Sequence, residues 1–413
     1  MSSDIKNVFI ASVLLFCGVM DASAENFDQL LRAQASKAGW LPAKELFNPI
    51  DSSLKTVGKK IFESESISLN GNISCRTCHL DEFGSADGLP VAAATGNDDL
   101  MLEGSSSVVG MDRVKAGAKL LPRNTLPFWG RGGKGFKSFF WDGKIEIVNG
   151  QIRSQFGSRP PSKDLLVSAV HLPVVEIREM LNEDDGVDEL RRESVDSAAK
   201  VYQKVVERLK TREPEITDEL RSLLDKKPAQ INFVDYARAV AAFIRDEFKI
   251  KTTRFENFML GKGKLSQDEL RGGLIFYGKG RCSVCHSGPY FSDFQYHSVP
   301  IPQFGFGRNG FGVDYGRYNA TFDPGDLMKF RTPPLINVEK TAPYGHSGSL
   351  NSIEDAVGAH FDPLRYVDLV GMKPYSRHEF ARQISRADSV GIVSYLNDRE
   401  VRQVSLFLRS LSF

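Results

Sequence analysis

Two pentapeptides carry the densest chemistry of this chain: Cys75-Arg76-Thr77-Cys78-His79 and Cys282-Ser283-Val284-Cys285-His286. Cys-x-x-Cys-His is the spacing that attaches a c-type haem: two thiols add to the vinyl groups, and the adjacent histidine is carried under the iron. A bare Cys-x-x-Cys also suits a redox dithiol or half of a zinc site, and two could build one four-cysteine zinc site. Here both motifs end in His, lie some two hundred residues apart, and belong to a chain with an export signal. The reading is therefore two covalently bound haems c, on Cys75 and Cys78 and on Cys282 and Cys285, with His79 and His286 as iron ligands. The fifth cysteine, Cys17, lies in a segment expected to be removed, so none is left for a disulfide.

The elements that must position these motifs can be read around them. A chain of 413 residues is long enough for two domains with cores of their own. Its 53 basic and 52 acidic side chains nearly balance, which gives no argument for nucleic acid or for an anionic membrane surface. Residues 1–24 read as a secretory signal: Lys6, an apolar run from Val8 to Met20, then Ala22-Ser23-Ala24 as the cleavage site. An uncleaved anchor is the other reading; lipidation of Cys17 is disfavoured by Phe16. No stable membrane span is expected in the mature chain, and the expected compartment is the periplasm, outside the membrane where c-type haems of Gram-negative bacteria are attached.

The stretch before each motif repeats. Gly58-Lys-Lys-Ile61-Phe62 precedes the first, and Gly272-Gly-Leu-Ile275-Phe276 the second. Both read as amphipathic helices, one with Leu54, Val57, Ile61 and Phe62 on one face. The other has a Ser266/Glu269 capping box and a stripe of Leu270, Leu274 and Tyr277. A closing helix begins at Asn397 and Glu400, with Val401, Val404, Leu408 and Leu411 inward. Its first-domain counterpart is Phe233 to Phe248, with Tyr236, Val240, Phe243 and Ile244 inward. The charged segment Asp184 to Leu224 reads as a solvated helical hairpin. The expected class is mainly α: two cytochrome c-like haem domains with long loops and little strand. The domains are 25–248 and 265–413, joined by a linker at 249–264.

At this point the chain resembles the bacterial dihaem cytochrome c peroxidases and their relatives of the MauG type, over residues 45–413. The resemblance rests on the paired haem motifs, Pro122-Arg123-Asn124, Phe140-Trp141-Asp142-Gly143, Glu179-Met180, Phe330-Arg331-Thr332-Pro333, Thr341 to Gly348, and Leu350 to Val357. It implies a peroxidatic N-terminal haem, an electron-transfer C-terminal haem, and Trp141 between them. It implies a calcium ion at the domain interface, held by Asn124 and the backbone carbonyls of Thr341 and Pro343, oxygen ligands that suit calcium. It assigns Glu179 the acid/base role. Peroxide cleavage does need a group that moves a proton between the two oxygens, and a carboxyl in a partly apolar pocket has a raised pKa that suits the task. Outside the motif Glu179 would read as a surface glutamate and Trp141 as a core tryptophan. Arg123 and Arg331 suit haem propionates or surface ion pairs equally.

Three departures matter. Ala169 stands ten residues before Glu179, where many of these peroxidases carry glutamine; His171, two residues on, reads as a proton partner or, preferably, as a core histidine. Gly84 to Met111 contains no histidine to cap the first iron, so that haem is expected open at rest, as in MauG-type enzymes. At the second haem the family's methionine position falls on His360, where MauG uses tyrosine. His360 ends a short helix expected to start near Ser352, with Asn351 as cap and Glu354 at its third position, and becomes the expected sixth ligand. Met328, Met372 and His378 are its rivals.

The leading reading is a periplasmic dihaem oxidoreductase that reduces hydrogen peroxide, with electrons from a small cytochrome c or a cupredoxin. One alternative is a MauG-type enzyme oxidising residues of a partner protein, although Gly280 stands where MauG carries a tryptophan just ahead of Cys282. Another is a non-catalytic dihaem electron-transfer cytochrome with both irons six-coordinate. The resemblance adds a homodimer, by analogy alone.

Overall fold

The computed structural model describes residues 26–96, 107–157, 159–181, 194–388 and 395–413. The expected signal, with Cys17, lies outside the described residues, as do 184–193 of the charged segment. Helix α1 occupies 26–37. It is followed by α2 Leu54–Glu63, α3 Gly110–Lys115, α4 Leu165–Val174, α5 Val195–Arg212, α6 Pro214–Leu223 and α7 Phe233–Glu247. The second half holds α8 Arg254–Met259, α9 Gln267–Tyr277, α10 Tyr318–Thr321, α11 Ile353–Ala359, α12 Pro374–Ser385 and α13 Asp398–Arg409. Strand is sparse and antiparallel: β1 Ala93–Gly96 with β2 Ala118–Leu120, a meander of β3 Ser138–Phe139, β4 Ile145–Val148 and β5 Gln151–Ser154, and β6 Tyr296–His297 with β7 Phe330–Arg331.

Each half is organised by one helix crossing. In the first, α2 buries Leu54, Val57, Ile61 and Phe62 against Tyr236, Val240, Phe243 and Ile244 of α7. Full burial of such side chains contributes about 1.5–3 kcal/mol each. The axes meet at Gly58, where a Cβ would lie 2.0 Å from the Ala239 carbonyl oxygen. The second half repeats this with α9 on α13, and there a Cβ on Gly272 would lie 1.9 Å from the Gln403 carbonyl oxygen. The sequence repeat is thus a repeat of a close backbone approach that only glycine allows. Leu274 and Tyr277 are only partly buried, because the inward face of α9 turns toward Gly272, Gly273 and Phe276.

The connecting segments carry structure of their own. The stretch 249–264, expected as the linker, carries α8, capped by Thr253, with Phe255 and Phe258 buried and the Phe255 N–H bonded to the Ser410 carbonyl at 3.0 Å. Helix α1 precedes the first haem motif but packs on the other half, where Leu31 meets the Cβ position of Gly273 and the Arg32 guanidinium reaches the Met259 carbonyl. The hairpin α5–α6 has one solvated face; the other buries Val201, Val205, Leu209, Ile216 and Leu220. The cap of α11 is Ser352, whose hydroxyl accepts the Asp355 N–H at 3.0 Å, so Asn351 lies one residue outside the capping position.

Candidate functional site

Each half holds a cavity open to solvent, the one in the first half somewhat smaller than the one in the second. In the first, Cys75 and Cys78 stand on a single 3₁₀ turn, both unpaired. The same turn carries the His79 N–H to the Cys75 carbonyl at 3.1 Å. The His79 ring donates from Nδ1 to the Ser85 carbonyl at 2.7 Å and stacks on Phe128 with centroids 3.9 Å apart. A carbonyl can only accept, so the proton sits on Nδ1 and Nε2 is left bare, which is the state a metal needs. Burial pulls the ring down to about 3, so it stays neutral at ordinary pH.

The second motif repeats the geometry: the His286 N–H meets the Cys282 carbonyl at 2.8 Å, and Nδ1 donates to the Phe291 carbonyl at 2.9 Å. The same cavity is lined by His360, whose Nδ1 donates to the Ala356 carbonyl at 2.7 Å. The two rings lie 6.5 Å apart between centroids. Two metal–imidazole bonds of about 2 Å each, plus the half-rings, give about 6 Å, so one metal ion fits between them. Of the rivals, Met328, Met372 and His378 are absent from the cavity wall, and His378 is exposed.

All seven histidines lie among the described residues, and His79 alone lines the first cavity. His171 is a core residue, edge-on to Tyr202 and Phe233. His346 stacks on Phe330 in the second cavity and bonds Gln303 at 2.8 Å. His297 pairs with Asp293 at 2.9 Å, near Cys285; the three ligand atoms lie within 4.8 Å of one another. The Cys285 sulfur belongs to the haem motif, which leaves too few ligands there for a separate metal.

Glu179 lines the first cavity on the turn that follows α4. That turn is closed by the Glu179 and Met180 N–H groups on the Glu176 carbonyl, both at 3.2 Å, and is pinned to β1 by Thr95, which bonds the Arg178 carbonyl. Burial pushes the Glu179 carboxyl up to about 7; Lys144 and Arg308 pull it down and Glu176 pushes it further up. Ala169 lines the same cavity.

Trp141 forms part of both cavity walls, as do Asn124, Thr125 and Leu126. It sits on the turn between β3 and β4, where Phe140 takes a φ of +64°. Strand β7 clamps this turn: the Arg331 N–H bonds the Trp141 carbonyl and its Nε the Phe140 carbonyl, both at 2.8 Å. The Trp141 indole donates to the Asn124 carbonyl at 2.9 Å. Asn124 in turn bridges the halves: its N–H bonds the His346 carbonyl at 2.8 Å, and its carboxamide reaches the carbonyls of Pro343 at 2.6 Å and Gly345 at 3.4 Å. Thr341 lines the adjoining cavity.

Arg123 is neither a surface residue nor free. It bonds Asp142 at 2.6 Å and both oxygens of Asp314 at 2.7 and 2.8 Å, inside the protein. Burial opposes the charge of both aspartates, but Arg123 holds them below the usual carboxylate range. Arg331 is different. It is buried, lines the second cavity, and its Nη1 has no partner. Burial pulls its guanidinium down to about 10. Arg131 was not found from sequence, because it sits in the glycine-rich stretch Gly130 to Gly135 that reads as a turn. It is buried in the wall of the first cavity and donates to the carbonyls of Pro127 and Leu126 alone. Burial and nearby Arg331 pull it down to about 9. Two buried guanidinium groups without carboxylates are costly unless an anion joins them, and haem propionates have that charge and shape. The residues present fit two haems c.

Comparison with known proteins agrees with this geometry. The family model described as di-haem cytochrome c peroxidase matches residues 52–264. The chain is 25% identical over 337 residues to the cytochrome-c peroxidase IdrP1 of Pseudomonas sp. (strain SCT), covering 75% of this chain and 72% of that protein. It is 26% identical over 323 residues to the methylamine utilization protein MauG of Methylorubrum extorquens, covering 76% and 70%. Among solved structures, a MauG-like protein associated with microbial copper homeostasis superposes with a TM-score of 0.62 at 18% identity, over 90% of this chain and 92% of that one.

Proposed function

This chain belongs to the dihaem cytochrome c peroxidase family, and on that premise we propose that it reduces hydrogen peroxide in the cavity of His79 and Glu179. The observation that carries the reading is the pairing of a bare His79 Nε2 with a carboxyl poised near neutrality in one cavity, whose wall shares Trp141 with the second.

When bound, the haem on Cys75 and Cys78 supplies the iron at which peroxide sits and, with the second haem, two electrons for its reduction. The protein does the rest. Glu179 takes the proton from the inner peroxide oxygen and returns it to the outer one, which leaves as water. Trp141 passes charge between the cavities. Arg131 and Arg331 hold propionates, and His286 and His360 hold the second iron. Asn124, whose amide reaches the Pro343 carbonyl and would turn its oxygen to the ion, would hold calcium between the halves together with the carbonyls of Thr341 and Pro343. The export signal expected at residues 1–24 supports a periplasmic enzyme, to which a small cytochrome c or a cupredoxin delivers electrons. No helix among the described residues is long and apolar enough to cross a membrane.

The test is peroxide turnover by the exported protein with a reduced small cytochrome c. Glu179→Gln, carrying both haems, should lose turnover; parental turnover would overturn the reading. His360 favours the MauG-type alternative, because imidazole in place of methionine lowers the potential of the second haem. Peroxide consumed without oxidation of the reduced cytochrome would select that alternative.

A further inference from the structure

The wall that carries Glu179 also holds two cations with no task so far. Lys144 leaves the turn between β3 and β4, three residues after Trp141, and its ammonium bonds Glu176 Oε2 at 2.7 Å. Its side chain is only 9% exposed, its Nζ lies 4.6 Å from the Phe140 ring centre, and its N–H bonds Asp142 at 3.1 Å. Arg308 arrives from the other half of the chain, on the glycine- and phenylalanine-rich loop Phe304 to Gly312. It approaches the second oxygen of Glu176 at 3.6 Å. Lys144, Arg308, Glu176 and Glu179 all line the first cavity, and Ala169 beside them offers no polar side-chain atom.

We propose that Lys144, locked by Glu176 and backed by Arg308, supplies the hydrogen bond and positive charge that act on the outer oxygen of peroxide as the O–O bond breaks. This takes over the position that Ala169 vacates, and it rests on the reading of Glu179 as acid/base group. In that step the bonding pair moves to the outer oxygen, which takes the proton removed by Glu179 from the inner oxygen and departs as water. The inner oxygen is made good by two electrons from the haem pair and two further protons, and leaves as a second water. Negative charge grows on the outer oxygen before its proton arrives, and a fixed cation in a low-dielectric cavity is worth most at that moment. An ammonium has three N–H donors, of which Glu176 takes one. Burial opposes the Glu176 charge, but Lys144 and Arg308 hold it below its ordinary range, so Glu176 stays ionised as the partner of Lys144.

The charged groups facing Glu179 are Lys144, Arg308 and Glu176, with Asp142 and Arg123 behind them. They predict opposite effects from the two members of the ion pair. In the dihaem protein, Lys144→Met should slow the reaction with peroxide about 10²-fold and raise the pH midpoint of that rate. It should also weaken fluoride binding to the ferric first haem about tenfold or more, through loss of a charge-assisted donor. Glu176→Gln should lower the pH midpoint, and Lys144→Arg should restore fluoride affinity. Haem content and absorption spectra check assembly, and Glu176→Gln with Lys144→Arg carries the test if Lys144→Met fails to assemble. Unchanged rate and fluoride affinity in Lys144→Met, with Glu179→Gln slow, would overturn the role of Lys144 alone. So would a slow Lys144→Met whose fluoride affinity and pH midpoint stay at parental values. A parental rate in Glu179→Gln would instead remove the underlying assignment.

Discussion

His286 and His360 face each other across the second cavity at 6.5 Å between ring centroids, each tied through Nδ1 to a main-chain carbonyl. With Nδ1 of each ring committed to a carbonyl, Nε2 of each is left to bind a metal. On the proposed reading this pair would make a low-spin bis-histidine haem. His360→Ala should convert the second haem to a high-spin or water-bound form, seen by electron paramagnetic resonance, and raise its potential. Persistence of the low-spin signal would assign the ligand elsewhere.

The first haem should behave differently at rest. Every histidine of the chain is accounted for, and only His79 borders the first cavity. The as-isolated ferric protein should therefore show a high-spin first haem and react with peroxide without prior reduction. A requirement for pre-reduction of the second haem would show that another group occupies that iron at rest.

Glu179 sets a pH signature. Its carboxyl is pushed up to about 7 by burial, and it must be ionised to accept a proton, so the rate with peroxide should fall as pH drops through about 7. Glu179→Gln should flatten that profile and slow the reaction about 10²–10⁴-fold. Stability should move the other way. The folded carboxyl keeps its proton to about 7, while an unfolded glutamate loses it near 4.5. The folded state therefore loses stability as pH rises between those values. Glu179→Gln should accordingly raise Tm above pH 7 and leave it unchanged near pH 4.

Asn124 joins the two halves and is the proposed side-chain ligand for calcium. Treatment with a calcium chelator should slow electron transfer between the haems, and Asn124→Ala should weaken calcium binding measured by titration. Parental calcium affinity in Asn124→Ala would exclude it as a ligand.

Gly58 and Gly272 give a stability test of the repeated crossing. In an exposed helix, Gly→Ala gains about 1 kcal/mol. Here the new methyl group would meet a carbonyl oxygen at 2.0 or 1.9 Å. Overpacking costs about 1–3 kcal/mol or more and wins. Each substitution should lower Tm of the dihaem protein, and an unchanged Tm would show that the helices can part without cost.

Much of this architecture is legible in sequence because its signals are local. The stripes of α2, α7 and α13 follow helical spacing, and the capping boxes of α9 and α13 form as read, with Ser266 on Glu269 and Asn397 on Glu400. The cap of α11 was displaced by one residue because Asn351 and Ser352 are both good capping residues and only backbone geometry chooses between them. Lys144, Glu176 and Arg308 are a different matter. They come from three separated segments, each unremarkable alone, and no spacing rule joins them. Arg131 looks like a turn residue until its burial is seen, and α1 precedes one half while packing on the other.

The hydrogen bond from the Trp141 indole to the Asn124 carbonyl bears on how charge would travel along the proposed route. An indole that gives up an electron becomes a strong acid. A carbonyl oxygen accepts a hydrogen bond but is no base, so it cannot take that proton away. A hole arriving at Trp141 would therefore stay a cation, without settling as a long-lived neutral radical, and the next donor would refill it directly. The partition between the two halves would work as a wire and not as a battery.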